Sequence, residues 1–350
     1  MRTLWARGRE PLKLPEPLGT EFVSERPCLV HLVRKANGLG TLQEFSEAYR
    51  RHPPGIDCEL VLAMKGFASP DEAQPYLREV ADLAPEPVFF PDSGFDQGLY
   101  LAAAARLRRG RYCFMNSHGR PQVDGWLAKL NTALDRPRVG MVSPTAHWAS
   151  AHSWLMYSMG LPSAYRGLMP PRKVARELFL AIEVKQKGKR KEMENRSRAD
   201  RVRTLLSALR DLPEGLLGFE PFPARNLRPN AFMINHATLR EMRLFVVHSK
   251  LDTYVLEGSR ASYTRQVERM GLLPLVVDAA GAVYGPEEWH RSRTFWQGDQ
   301  EGLLVGDNQT LSYTLGDSAS RNLLSTFAWG PSAEPSFSRE DSPEELTLQP

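Results

Sequence analysis

The chain has little that would mark an exported or membrane-spanning protein. Its 350 residues include only three cysteines, Cys28, Cys58 and Cys113. They sit in or beside apolar runs with no C-x-x-C spacing, which points to reduced core thiols rather than disulfides or zinc ligands. No stretch approaches the roughly 20 apolar residues that cross a bilayer. The opening MRTLWARGREPLKLPEP is basic but has no continuous apolar segment, so no secretory leader is expected. Several catalytic signatures are missing too: G-x-G-x-x-G, G-x-x-x-x-G-K-[ST], H-E-x-x-H and G-x-S-x-G do not occur. Their absence argues against the commonest dehydrogenases, NTPases, metalloproteases and serine hydrolases. A cytoplasmic location is the simplest expectation.

What is present suits a folded chain of one large α/β domain or two smaller ones. Apolar residues make up 42% and charged residues 25%, ordinary values for a globular protein. The net charge of +4 is unevenly spread. Residues 172–210 hold 13 Lys and Arg against 5 Asp and Glu, leaving 32 against 36 for the remainder. The basic character therefore belongs to one segment.

Along the chain, Pro-, Ser- and Glu-rich stretches without apolar period predict loose tails at 1–25 and 331–350. Between them, strand-like runs alternate with helical patterns: CLVHLV (28–33), a helix capped near Thr41, ELVLAM (59–64), a helix opened by Ser69-Pro70, PVFF (87–90), an alanine-rich helix over 95–109, YCFM (112–115), a helix over 123–134 and VGMV (139–142). Such βα alternation predicts a mostly parallel sheet flanked by helices, with functional loops at the C-terminal ends of the strands. The organisation expected is an α/β half at 26–150, a helical insertion at 151–215 with a charged tip over 183–200, and a second half with a turn-rich extension at 216–330. In that second half AFMI (231–234) and LPLVV (273–277) read as strands, with helices near 237–243 and 262–270.

Three stretches carry a family resemblance. LVHLVRKANGLGTLQEFSEAYRRHPPGIDCELVLAMKGFAS, GFDQGLYLAAAARLRRGRYCFMNSHGRPQVDGWLAKL and LEGSRASYTRQVERMGLLPLVV follow the order of parts in the large inverting family two of nucleotide-sugar glycosyltransferases, whose fold is the GT-A type. The first contains a strand and a loop asparagine, Asn37. The second has an alanine-rich helix leading to the strand that in this family ends in a D-x-D metal motif. The third has an acid ahead of a helix and a final strand. The resemblance implies transfer of a hexosyl or deoxyhexosyl group from a nucleotide-diphosphate sugar to a saccharide or lipid-linked glycan acceptor, with inversion, as in polysaccharide biosynthesis. It places the general base at Glu257 first, or Asp252. The chain departs from the family at two points. The second strand ends Met64-Lys65-Gly66-Phe67 instead of in aspartates, and Asn116-Ser117-His118 stands where the D-x-D acids belong.

Those departures shape the expected chemistry. Negative charge grows on the departing diphosphate, and either a divalent ion or fixed basic groups must meet it. Mg²⁺ and Mn²⁺ prefer carboxylate ligands, so Asn116 and His118 alone suggest at most a weakly bound cation. The alternative is a cleft of Arg34, Lys35, Lys65, His118 and Arg120, with Asn37, Asn116 and Asp96 nearby, gripping the phosphates directly. Arg225, Arg228 and Asn230 precede AFMI and are candidates for phosphate or acceptor contact. Asp299, Glu301, Asp307 and Asn308 form an acidic loop without calcium-loop spacing, and His147 and His152 lack a metal-pair spacing. The basic segment suits peripheral contact with an anionic membrane. Without interleaved aromatics it does not suit nucleic acid. A GT-A fold that has lost its acids and only binds a glycan or a partner is the competing reading.

Overall fold

The structure is a computed structural model, and it describes residues 9–17, 26–187 and 216–335. Eight runs pair into one sheet: Cys28–Arg34 (β1), Glu59–Lys65 (β2), Glu86–Phe90 (β3), Arg111–Met115 (β4), Val139–Ser143 (β5), Ala231–Asn235 (β6), Leu273–Val277 (β7) and Val283–Tyr284 (β8). Their order is β8-β7-β5-β6-β4-β1-β2-β3. Strands β3, β2, β1 and β4 are mutually parallel, as are β5 and β7, while β6 runs antiparallel between β4 and β5. Ala231 at the start of β6 therefore faces Met115 at the end of β4. That register brings the chain before β6 to the same edge as the tips of the parallel strands.

Helices cover both faces. They are Leu39–Arg51 (α1), Pro70–Glu79 (α2), Phe95–Leu107 (α3), Trp126–Leu134 (α4), Ala151–Met159 (α5), Arg172–Lys187 (α6), His236–Glu241 (α7), Lys250–Gly258 (α8), Tyr263–Arg269 (α9), Asn308–Thr314 (α10) and Ser318–Trp329 (α11). Side chains alternate across a strand, and the two cores divide accordingly. Val30, Leu32, Val61, Phe114 and Phe232 pack with α3, α8 and α9, whereas Leu29, Val33, Leu62, Met115 and Met233 pack with α1 and α4. Burial on both faces is why CLVHLV and ELVLAM carry almost no polar residues. Each fully buried Leu or Phe among them contributes about 1.5–3 kcal/mol.

Several boundaries differ from expectation. α1 starts at Leu39 because Gly38 takes φ +79° at the boundary, and the Thr41 hydroxyl donates to the Asn37 carbonyl rather than capping. Gly125, at φ +71°, delays α4 to Trp126. The stretch expected as a loose N-terminal tail is partly built in. Pro11–Leu12 pairs with Leu244–Phe245, Leu14 is buried, and the Pro15 carbonyl bonds the His236 imidazole. The turn-rich extension contains two helices, α10 and α11, capped by the Asp307 and Asp317 carboxylates. Past it, Gly298 forms a bridge with Pro335, so the C-terminal boundary lies beyond 331. Within the stretch expected as a helical insertion lie α5 and α6. The greater part of the charged tip expected over 183–200 lies outside the described residues. Among the described residues no helix is long and apolar enough to cross a membrane.

Candidate active site

The expected basic residues do gather at the strand tips, but already paired. The Arg34 guanidinium makes two bonds to Asp92, at 3.1 and 3.0 Å. Nζ of Lys65 lies 3.8 Å from the same carboxylate and donates to the Phe95 carbonyl at 2.8 Å. Lys35 pairs with Glu72 at 2.8 Å, and Arg120 pairs with Glu44. Arg34 holds the Asp92 carboxyl below the usual range, and burial pushes Lys65 down. Burial, then the Arg120 charge, lowers His118 as well. The expected cleft of uncompensated cations is therefore corrected to an ion-paired cluster. The polar turn itself is tightly knit. The Asn116 carboxamide accepts from the His118 N–H, and Asn37 donates to the Ser117 hydroxyl at 2.6 Å. A Cβ on Gly119 would lie 2.3 Å from Met115 Cγ, which explains why glycine ends the turn.

A second group faces this cluster across the first turn of α3. Glu257 lies in the last turn of α8, where unpaired carbonyls disfavour an anion. The helix-start position that a dipole-stabilised acid would need is thus not the one it occupies. Its Oε1 accepts from Gln97 Nε2 at 3.1 Å. Burial pushes its carboxyl up to about 7, opposed by Lys250, by the Gln97 bond and by Arg228, while Asp96 pushes the same way as burial. Asp252 has a different fate. It is the capping-box acid of α8, bonded to Ser249, His248 and Arg9, and these bonds occupy it structurally.

The first turn of α3 links the two groups. Phe95 bonds Lys65, Gln97 bonds Glu257, and the charge of Asp96 is felt at Arg34, Lys65, His118 and Glu257. Phe95 sits at φ +51° right after Gly94 at φ +72°. A non-glycine residue in that region costs on the order of 1–3 kcal/mol, and such strain gathers at functional sites.

Arg228 and Asn230, just before β6, are buried. Arg228 bonds Asp307 at 2.7 Å and Gln309 at 3.0 Å, and lies 4.0 Å over the Phe295 ring. Asn230 accepts from the Thr145 hydroxyl at 2.6 Å. Arg225 is paired with Glu287 on the surface.

No family model and no curated protein sequence matches the chain. Solved structures do. They include GalNAc-T7 with UDP, GalNAc and Mn²⁺, 16% identical over 35% of this chain and 23% of that one; CMP:2-keto-3-deoxy-manno-octonic acid synthetase with CTP, 12% over 36% and 54%; and the mannosyltransferase PcManGT from Pyrobaculum calidifontis with GDP-Man and Mn²⁺, 19% over 40% and 39%. The likeness is to nucleotide-sugar and nucleotidyl enzymes. Each TM-score is 0.27, and the chain spans little more than half of the longest-covered of them. At that overlap the likeness is fragmentary, and the chemistry of this site rests on the chain's own residues.

A divalent ion does not fit those residues well. The turn offers an amide already bonded to a neighbouring N–H and an imidazole beside an arginine. Among the described residues no group of three or more His, Cys, Asp or Glu side chains is placed to share an ion. Two site residues escaped sequence reasoning, and a third, Asp307, was read only as part of an acidic loop. Asp92 gave no signal beyond a turn residue after PVFF, and Gln97 looked like filler in an alanine-rich helix. Asp307 did carry one, since an acid directly before a helical run is an N-cap pattern.

Proposed function

We propose that the chain transfers a glycosyl group from a nucleoside-diphosphate sugar to an acceptor hydroxyl, with inversion, using Glu257 as general base. The observation that carries this reading is a partly buried carboxyl with a pKa raised to about 7, fixed by Gln97 at the edge where the strand tips converge. A base poised near working pH is what deprotonation of a hydroxyl requires. In the step, Glu257 takes the hydroxyl proton as the acceptor oxygen bonds the anomeric carbon. The bond from that carbon to the diphosphate breaks, and its electron pair leaves with the phosphate. Arg34 and Lys65 are the cations nearest to receive that charge, and Asp92 stands in the anion's place until a donor arrives. No step is routed through a metal.

The second reading, a GT-A-like module that binds a glycan or partner without turnover, is favoured by one observation: Arg34, Lys35, Lys65 and Arg120 are all matched by carboxylates within the chain. Thermal shift against UDP-, GDP-, dTDP- and CMP-sugars, with and without Mn²⁺, separates the two. Stabilisation by a donor, with turnover abolished in Glu257→Gln, supports transfer. No response to any donor leaves the binding module as the reading. Contact with an anionic membrane through the basic segment remains part of the proposal; vesicles with and without phosphatidylserine test it by co-sedimentation.

A further inference from the structure

A buried polar atom without a hydrogen-bond partner is uncommon in a folded protein, and a bound water usually supplies the partner. Among the described residues the Gln97 carboxamide oxygen and the hydroxyls of Tyr100, Thr253 and Tyr263 are buried and bond no protein group. These four residues are no more than 3% exposed. The fold brings them together from three helices. Gln97 and Tyr100, three positions apart, share a face of α3, and Gln97 holds the Glu257 carboxyl at 3.1 Å. Thr253 and Glu257, four apart, share a face of α8. Tyr263 is the first residue of α9, and α8 packs against both α3 and α9. The Tyr100 and Tyr263 rings both rest on Phe232 of β6, with centroids at 5.9 and 5.8 Å. The Glu257 charge is felt at both phenols, and that of Tyr263 at Tyr100. Helical spacing, ring contacts and charge agree on one buried polar cluster beside Glu257.

The chemistry of the cluster is complementary to a carboxylate. It offers three hydroxyls that can donate and two acceptors, the Gln97 oxygen and the Glu257 carboxyl. Burial pushes both phenols up, so each keeps its proton and remains a donor. None of the hydroxyls bonds the carboxyl directly; a single water can connect them to it at little loss of strength. Donors that reach the ionised form favour it and oppose the effect of burial. The other groups felt at Glu257 are fixed charges: Asp96 from α3 disfavours the anion, while Lys250 from α8 and Arg228 from the chain before β6 favour it. With those two cations near, and one carboxyl already accepting from Gln97, the same oxygens suit water better than a metal ion.

We propose that Tyr100 and Tyr263 are positioning residues for Glu257, which with Thr253 and Gln97 hold bound water against its carboxyl and stabilise the ionised form. The inference rests on the transfer reading for its use in catalysis, but its test does not. The proton on Glu257 is read from the carboxylic-acid C=O band in the infrared difference between the full chain and Glu257→Gln, titrated from acid to alkaline pH. Tyr100→Phe and Tyr263→Phe, each measured against its own Glu257→Gln control, are expected to move the midpoint up by about one pH unit, a tenfold change in proton affinity. Thr253→Val is expected to move it the same way by less, and it carries the test if a phenylalanine variant does not fold. A hydroxyl with a merely structural role would lower the unfolding temperature and leave the midpoint where it was. Midpoints unmoved or lowered in these variants overturn the inference. Where transfer is measured, the pH at which the rate levels off should rise by the same amount, with KM for the donor unchanged. Raised midpoints in a chain that binds no donor keep the cluster and remove the transfer reading. Unmoved midpoints in a chain whose turnover is lost in Glu257→Gln keep transfer and remove the cluster.

Discussion

Two arginine–aspartate pairs stand at the same edge of the sheet and differ mainly in exposure. In Arg34–Asp92 the side chains are 42% and 41% exposed, and in Arg228–Asp307 they are 7% and 1% exposed. Water screens the first pair, so opening it costs little and an incoming phosphate can replace the aspartate. The second pair cannot open without stranding a charge in a low-dielectric interior. The first is thus suited to ligand exchange and the second to holding β6 and α10 in position. Residues 28–145 supply the exposed pair. The region after 226 supplies the rigid pair and the raised carboxyl of Glu257.

The largest expected effect concerns that carboxyl. Glu257→Gln should lower transfer by about 10²–10⁴-fold, with donor affinity unchanged in a thermal-shift titration. Because the base acts when deprotonated, the wild-type rate should climb as pH rises to about 7 and then level off. Undiminished turnover in the variant would move the base elsewhere.

Next comes the buried pair. Arg228→Leu should cost about 3–5 kcal/mol in chemical denaturation, because Asp307 is left buried and unpaired, and Arg228→Leu with Asp307→Leu should recover much of it. A loss below about 1 kcal/mol, the range of exposed pairs, would erase the contrast drawn between the two.

Glu257 also carries a stability signature of the opposite sense to a salt-bridged acid. Its folded pKa lies above the usual 4.5, so the native state binds the extra proton between about 4.5 and 7. Wild-type stability should fall as pH rises through that window. Glu257→Gln should be the more stable protein at pH 8, by on the order of 1–3 kcal/mol, with the advantage vanishing near pH 4. Denaturation curves at the two pH values check the sign.

The smallest effect in stability sharpens the exchange idea most. Asp92→Asn should change unfolding by no more than about 1 kcal/mol yet raise affinity for inorganic pyrophosphate severalfold by calorimetry. A fall in that affinity would mean that Asp92 positions Arg34 rather than competing for it.

Much of the scaffold was legible because its signal is local. Apolar runs such as CLVHLV and ELVLAM announce strands covered on both faces, and the helix starts expected near Thr41 and at 123 fall within a few positions of Leu39 and Trp126. Pro11–Leu14 was not legible, since a short segment without period becomes a strand only when Leu244–Phe245 offers an edge. The two C-terminal helices were masked by surrounding turns, although Asp307 and Asp317 mark their starts.

At the candidate site the charge was misread from the sequence. Arg34, Lys65, His118 and Arg120 lie at or just after the C-terminal ends of neighbouring strands, but the carboxylate partners of Arg34, Lys65 and Arg120 come from positions between 27 and 76 residues away. In KLDTYVLEGSR the resemblance put Glu257 first and Asp252 second. One became a satisfied helix cap and the other a raised acid bonded to Gln97, 160 residues distant. Sequence by itself determined the alternating α/β framework and which strand ends carry polar residues, because periodicity and turn chemistry act over a few positions. Only the tertiary structure decided which charges are cancelled and which acid is raised, because desolvation and ion pairing depend on groups that the chain brings together from far apart.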